Sequence, residues 1–150
     1  MRTCVMGLLV VSVAGLAACA GRMRPAPASA VADAHATGTL AQVYYWRAKP
    51  GKLDEYSRYI RDLAEPIDRE AQRSGAFVSV TTFIARDTTS AWTHMRVFVL
   101  RDSTQLRALS GALDSAGQRV EPDSAKRRVR GEYSASLRDR VGAGTYTILR

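Results

Sequence analysis

The sequence contains no asparagine, only two cysteines and only two histidines. Both cysteines, Cys4 and Cys19, lie near the amino terminus. The rest of the chain therefore offers no disulfide, no zinc–thiolate or iron–sulfur site and no cysteine nucleophile. It also lacks a glycine-rich phosphate loop and a Gly-x-Ser-x-Gly nucleophile elbow. No stretch amounts to a catalytic signature, and no set of converging metal ligands is visible.

The amino terminus has the pattern of an export signal. Arg2 supplies a positive charge, and residues 5–18 are uncharged and mostly apolar, but too short for a spanning helix of about 20 residues. The stretch Leu16-Ala17-Ala18-Cys19 resembles the lipobox of bacterial lipoproteins. The resemblance implies that Cys19 becomes the first residue and carries a diacylglycerol, with an acyl chain such as palmitate on its amine. Because two or more chains anchor a protein stably, we expect membrane attachment through Cys19; the alternative is a small buried cysteine near an ordinary cleavage site.

The residues after Cys19 indicate where the anchored protein would be located. In Gram-negative lipoproteins an Asp at the next position tends to retain the protein at the inner membrane, so Ala20 implies the periplasmic face of the outer membrane. Residues 20–39 are rich in Ala, Pro, Ser, Gly and Thr and have no apolar periodicity, which predicts a flexible tether. The predicted organisation is a signal peptide (1–18), a lipidated cysteine with its tether (19–39) and one folded domain (40–150).

The chain is basic, with a formal charge of +8. Such a charge can indicate nucleic-acid binding, but an exported lipoprotein meets anionic lipid and lipopolysaccharide phosphates instead, so we predict no nucleic-acid partner. The densest basic run is Lys126, Arg127, Arg128 and Arg130. A solvated helix face and a surface that contacts anionic lipid are both open interpretations of this run.

Apolar periodicity predicts the order of the elements in the folded domain. The predicted strands cover residues 42–48, 77–86, 91–100 and 145–149. The first helix carries an apolar stripe, is kinked or split at Pro66 and ends at Gly75; the stripe is Leu53, Tyr56, Ile60, Leu63, Ile67 and Ala71. The carboxylates of this helix are expected to face mostly solvent.

Two more helices are predicted before the last strand. Asp102 or Ser103 caps the second, and Gly117 and Pro122 break it. Asp123 or Ser124 can cap the third, whose stripe is Val129, Tyr133, Leu137 and Val141. The order strand, helix, strand, strand, helix, strand, with an added helix before the last strand, predicts an α+β, ferredoxin-like βαββαβ fold. Its four-stranded antiparallel sheet would carry the helices on one face.

The strand at 91–100 has two different faces. We expect the helices to cover one of them, made of Thr93, Met95, Val97 and Val99. The opposite face would then consist of Trp92, His94, Arg96, Phe98 and Leu100. That face is bulky and partly polar, so it needs cover from another surface.

The start of the domain resembles the dimeric α/β-barrel superfamily. The resemblance rests on a first strand, then Lys49-Pro50-Gly51-Lys52 leading into Asp54-Glu55-Tyr56, then a helix to Gly75. In that superfamily two ferredoxin-like sheets pack face to face. The resemblance implies a homodimer that buries the Trp92, His94, Arg96 and Phe98 face.

The same superfamily includes monooxygenases, cofactor-independent oxygenases, haem-degrading oxygenases and chlorite-dismutase-like proteins. The haem-degrading group uses an Asn, a Trp and a His, whereas this sequence has no Asn and places Trp92 and His94 two residues apart on one strand.

Two functional hypotheses follow for the domain. The first is a non-catalytic envelope protein that binds a partner or a small apolar or aromatic ligand; Tyr44, Trp46, Trp92 and His94 are its candidate lining residues. The alternative is a small cofactor-independent monooxygenase or haem-handling protein that uses His94, Trp92 and Arg96, with His94 as base or haem ligand and Arg96 paired with a propionate. Packing in the core or at a dimer interface explains the same residues without a site. No resident metal or cofactor is predicted apart from haem under the alternative.

Overall fold

The computed structural model of the protein describes residues 38–87 and 89–149. Its elements are β1 (Leu40–Ala48), α1 (Leu53–Tyr59), a π-helical turn (Ile60–Ala64), α2 (Glu65–Arg73), β2 (Ser79–Ile84), β3 (His94–Leu100), α3 (Ser103–Val120), α4 (Ser124–Leu137) and β4 (Arg138–Thr147). None of the helices in these two ranges has the length and apolarity needed to cross a membrane. The predicted leader, Cys19 and most of the tether lie outside the described residues.

The four strands form one sheet in the order β2-β3-β1-β4, and every neighbouring pair is antiparallel. This is the order that two interleaved βαβ units produce, and the helices pack on one face of the sheet. The predicted α+β, ferredoxin-like fold is thus confirmed. The added helix is α4, which leads into β4 without a connecting loop.

The first helical segment is divided where Pro66 was expected to disturb it. A π-helical turn separates α1 from α2, and Pro66 occupies the first turn of α2, where its missing N–H removes little hydrogen bonding. The wider turn changes the helical phase, so the predicted apolar stripe is only partly correct. Leu53 and Leu63 are exposed. Asp68 is buried and is an exception to the expectation that most carboxylates of this segment face solvent.

The two later helices each begin directly after a capping aspartate. Asp102 and Asp123 each accept hydrogen bonds from two backbone amides of the following turn, as predicted. The prediction that Gly117 breaks α3 is wrong, because α3 continues to Val120 and buries Gly117 in its last turns.

The predicted stripe of the third helix is correct at Leu137, which is buried in the core, but wrong at two other positions. Val129 is 58% exposed, and Val141 lies on β4, which begins at Arg138 rather than at residue 145. Pairing with β1 extends β4 through Gly142, where the missing side chain leaves room for the Tyr45 ring.

The two faces of β3 are the reverse of the prediction. His94, Phe98 and Leu100 are buried, and Arg96 pairs with Asp68 of α2, so the helices cover this face. The polar residues are accommodated because the helices supply hydrogen-bonding partners for them. The face expected to meet the helices, which includes Met95 and Val97, is directed away from them. The implied burial of the His94 and Arg96 face by a second subunit is therefore wrong.

Two apolar clusters hold the helices to the sheet. The larger one consists of Ala71, Phe77, Phe98, Leu100, Leu109 and Ala116. The smaller one consists of Tyr56, Ile60 and Leu137, with the Trp46 ring packed against it. Because α2 and α3 pack on each other in the first cluster and α1 and α4 meet at the second, a space is left between the two pairs of helices.

Candidate ligand-binding cleft

A cleft of about 610 Å³ lies between the sheet and the helices. The sheet contributes Trp46 from β1, Arg96 from β3 and Arg138 from β4. The helical run from α1 to α2 contributes Tyr56, Tyr59, Ile60, Ala64, Ile67 and Asp68. The helices α3 and α4 contribute Leu113, Asp114, Gly117, Gln118, Arg127, Arg130, Gly131 and Ser134. The π-helical turn is part of the wall, and such turns are frequent at functional sites.

One side of the cleft is aromatic. The rings of Tyr56 and Tyr59 stack with centroids 6.2 Å apart, and Tyr59 meets the Tyr133 ring edge-on at 5.8 Å. Burial raises the pKa of Tyr56 to about 12, so this phenol is neutral at physiological pH. With Trp46 and Ile60, the rings of Tyr56 and Tyr59 give an apolar wall suited to a flat or apolar ligand body.

A β-bulge brings Arg138 to the cleft. The register between β1 and β4 shifts after Tyr45, and Val141 is the additional residue. Side chains alternate between the two faces of a strand. One inserted residue therefore moves every side chain beyond it from one face of the sheet to the other. Trp46 is consequently paired with Arg140, and Arg138 lies two residues farther along the same face. Without the bulge, Arg138 would be directed away from the helices.

The Arg138 guanidinium lies flat against an aromatic surface. Its central carbon is 3.3 Å from the Trp46 ring centroid and 5.4 Å from that of Tyr56. Its Nε donates to Ser134 Oγ at 3.0 Å, whereas Nη1 is buried without a hydrogen-bond partner. Burial lowers the pKa of Arg138, and no carboxylate of the described residues forms an ion pair with it. Arg138 is thus a partly buried cation stabilised mainly by aromatic rings.

Arg96, in contrast, has a carboxylate partner. It forms a largely buried ion pair with Asp68, which crosses from β3 to α2 at the edge of the cleft. Burial raises the pKa of Asp68, and the adjacent Arg96 opposes this rise. The pair leaves Arg96 electrostatically compensated, although its Nε has no hydrogen-bond partner.

Two further arginines line the α4 side. Arg127 donates through Nη1 to the carbonyl oxygens of Glu121 and Pro122, so it caps the carboxyl end of α3. Arg130 forms no ion pair with any described carboxylate, and its guanidinium lies near Gly117. The only carboxylates among the lining residues are Asp68 and Asp114, against four arginines, so the cleft is positively charged.

His94 lies beneath the helices and outside the cleft lining. Its side chain is completely buried, with the Tyr56 ring edge-on at 4.5 Å. Ser57 Oγ donates to the Leu53 carbonyl at 2.9 Å and lies 3.0 Å from His94 Nε2, so it accepts from an Nε2–H. On the other side of the ring, Thr93 Oγ1 lies 2.9 Å from Nδ1 and 3.3 Å from the Trp46 carbonyl oxygen. Because a neutral ring protonated at Nε2 has its lone pair on Nδ1, the Thr93 hydroxyl donates to the nearer Nδ1.

This arrangement leaves His94 without a free lone pair. Burial, assisted by the positive charge of Arg138, lowers the pKa of His94 to about 4, so the ring is neutral at physiological pH. The Nε2 contact with Ser57 joins α1 to the sheet, and the Nδ1 contact with the neighbouring Thr93 fixes the orientation of the ring. In this geometry the residue joins elements of the fold rather than offering a base to the cleft.

The structure brings only part of the predicted site together. Trp46 and Arg96 line the cleft. Tyr44 lies on the same sheet face, where Arg140 covers its ring at 4.9 Å. Trp92 precedes β3, and its ring packs against Tyr45 on the opposite face, with centroids 6.1 Å apart.

Sequence reasoning missed Tyr56 and Arg138 as lining residues. Tyr56 belonged to the predicted apolar stripe, but no pattern indicated that its ring borders an open space. Arg138 was assigned to a helix, so its position opposite Ala48 was not foreseen. The described part of the chain contains no group of three or more His, Cys, Asp or Glu side chains that could hold a metal ion.

Comparisons with known proteins support the fold. No protein-family model matches the chain, and no curated protein matches its sequence. Among solved structures, it is similar to the crystal structure of HapK from Hahella chejuensis, with a TM-score of 0.52 over 73% of this chain and 92% of that one. The two chains share a fold. At 8% sequence identity, this likeness carries no information about function.

Proposed function

We propose that this chain is an exported, lipid-anchored envelope protein whose domain binds a small ligand in the cleft between sheet and helices. The observation that carries the proposal is the cleft itself, whose volume of about 610 Å³ falls in the range of small-molecule sites. It combines an aromatic wall with an arginine-rich side, and apolar surface next to convergent polar groups is what a ligand site needs.

Binding without catalysis is the better account of the polar groups. The one histidine of the described residues, His94, uses both ring nitrogens inside the fold. Arg96 is compensated by Asp68. The oxygenase or haem-handling alternative needs His94 or Trp92 at the ligand, and these two residues do not line the cleft.

The first experiment is a survey of retained ligands. The full chain is purified gently from its native envelope and examined by absorbance and native mass spectrometry. We expect a retained small-molecule mass that is lost in a Trp46→Ala variant and kept in Trp92→Ala, because only Trp46 lines the cleft. A Soret band lost in His94→Ala would instead support the haem-handling alternative. Loss of the mass in Trp92→Ala alone would place the ligand elsewhere.

The anchor is tested separately. If Cys19 is lipidated, the wild-type chain partitions into the detergent phase of a membrane extract and Cys19→Ala does not. Cys4→Ala is the matched control, because Cys4 lies inside the proposed signal peptide. Equal partitioning of the Cys19→Ala chain would contradict lipid anchoring.

We further propose that a second copy of the chain covers the sheet face directed away from the helices. This face carries Tyr45, Met95 and Val97 and the exposed rings of Phe83 and Tyr146, which are 47% and 49% accessible. An apolar sheet face of this kind is normally covered in a soluble domain.

The homodimer has a direct test. Sedimentation at micromolar concentration should give a dimer that Val97→Glu dissociates, because the new charge would lie on the paired face. Val129→Glu, on the exposed side of α4, should leave the dimer intact. A wild-type monomer would contradict the proposal.

A further inference from the structure

We propose that the ligand of the cleft is a small organic anion with an aromatic or apolar body, and that Arg138 binds its anionic group. This inference rests on the proposed ligand-binding function and deepens it. It is carried by the unpaired cation on β4, the excess of arginine around the cleft and the aromatic wall beside Arg138.

The first step concerns the charge of Arg138. A guanidinium has five N–H donors, and the fold uses one of them, from Nε to Ser134 Oγ. Nη1 is enclosed and has no acceptor. A partly buried cation in this state is stabilised when an anion reaches it, and a carboxylate or similar group matches the planar fork of donors.

The second step concerns the other charges that face the cleft. Asp68 is already paired with Arg96 and is not available to Arg138. Asp114 lies on the α3 side and forms no ion pair with a described arginine. Arg130 adds a second cation without a carboxylate partner among the described residues. The field inside the cleft therefore favours a negatively charged guest.

The third step concerns the ligand body. The guanidinium of Arg138 covers one face of Trp46 at 3.3 Å, and Tyr59 and Ile60 form the apolar surface beside this pair. A ligand whose charged group meets Arg138 would place its remaining atoms against this surface. An aromatic or branched apolar body gains most there, because it replaces water over the rings.

The fourth step concerns the backbone. The bulge at Val141 is the feature that turns Arg138 toward the helices and away from solvent on the other face. A bulge that re-aims one side chain into a cleft is common beside functional sites. Packing alone would be served equally well by an apolar residue at position 138, since Leu137 and Trp46 already form the adjacent cluster.

The test compares two soluble probes of the same shape, phenylbutyrate and phenylbutanol, on the full chain. The protein carries Trp92→Phe, so that Trp46 is its single tryptophan and reports directly on the cleft. We expect phenylbutyrate to bind about tenfold or more tightly than phenylbutanol, as expected for one charge-assisted pair. Arg138→Gln should remove this preference, so that the two probes bind this variant with similar affinity.

Arg140→Gln is the matched control. Arg140 lies on the same strand, and its guanidinium carbon is 4.9 Å from the Tyr44 ring centroid and 5.9 Å from that of Trp46, but it does not line the cleft. This variant should therefore keep the preference for the anion. Arg138→Lys retains the charge without the planar fork, so it should keep part of the preference and show that the fold tolerates a change at this position.

The outcomes separate this inference from the proposed function. If phenylbutanol binds wild type as tightly as phenylbutyrate, the anion inference is overturned and a ligand-binding cleft remains. If the Arg138→Gln chain loses both probes equally, Arg138 has only a packing role and the inference also fails. If neither probe changes the emission of Trp46 and neither binds by calorimetry, the cleft is not a site for such ligands and both proposals fail together.

Discussion

Replacing His94 by glutamine should make the stability of this protein less dependent on pH. His94 is buried, donates from Nε2 to Ser57 and accepts at Nδ1 from Thr93. A glutamine can still donate to Ser57 through its amide, but it does not titrate. The variant therefore removes one ionisable group while preserving one of its two contacts.

The magnitude follows from the pKa of His94, which is about 4 in the folded protein against an ordinary value of 6.5. Between these values the unfolded chain binds a proton that the folded protein does not, so the free energy of unfolding falls as the pH falls through this window. From about pH 7.5 to about pH 5 the expected loss from this residue is about 2 kcal/mol. The lowered pKa values of Glu55 and Glu70 act mainly below this window.

The assay is urea unfolding of both chains at the two pH values and at one protein concentration. His35, the other histidine, is present in both chains and cancels in the comparison. We expect the wild type to lose about 2 kcal/mol more than His94→Gln between the two conditions. Equal losses in the two chains would refute the assignment of His94 as a buried neutral residue.

Two other predictions address the fold around the cleft. Asp68→Asn should lower the free energy of unfolding by about 3 kcal/mol, because Arg96 becomes a buried cation without a counter-ion. Adding Arg96→Met should recover part of this loss. Strictly additive effects in a double-mutant cycle measured by urea unfolding would show that the two residues are not coupled. Gly111→Ala, in open space within α3, should stabilise by about 1 kcal/mol, whereas Gly75→Ala, at a φ of 78°, should destabilise by about 1 kcal/mol. Thermal unfolding midpoints that move in the same direction for both glycine variants would contradict this.

The fold was predictable because its signals are local. The apolar stripe with Tyr56 and Ile60 predicted the first helix, and Asp102 and Asp123 were predicted as caps of the next two. The order of the elements then predicted the sheet. The limits of β4 were not predicted, because the pairing of Arg138 with Ala48 is a tertiary interaction that overrides local helical periodicity.

The site was only partly predictable, because burial of polar groups depends on partners that are distant in sequence. His94 and Arg96 suggested an outward face of β3, whereas Ser57 and Asp68 satisfy them from the helices. The π-helical turn that shifts Asp68 inward has no simple sequence signature beyond the nearby proline. The role of Arg138 depends on one inserted residue in β4, which no periodicity reveals.

The most direct test of a ligand site between sheet and helices is an amide NMR titration of the isotope-labelled full chain with phenylbutyrate. The account predicts shift changes concentrated in the described lining, around Trp46, Tyr59, Gly117, Arg130 and Arg138. Amides of residues remote from the lining, such as that of Phe83, whose ring lies on the opposite sheet face, should remain unchanged. Changes confined to that opposite face, or no changes at saturating probe, would contradict the account.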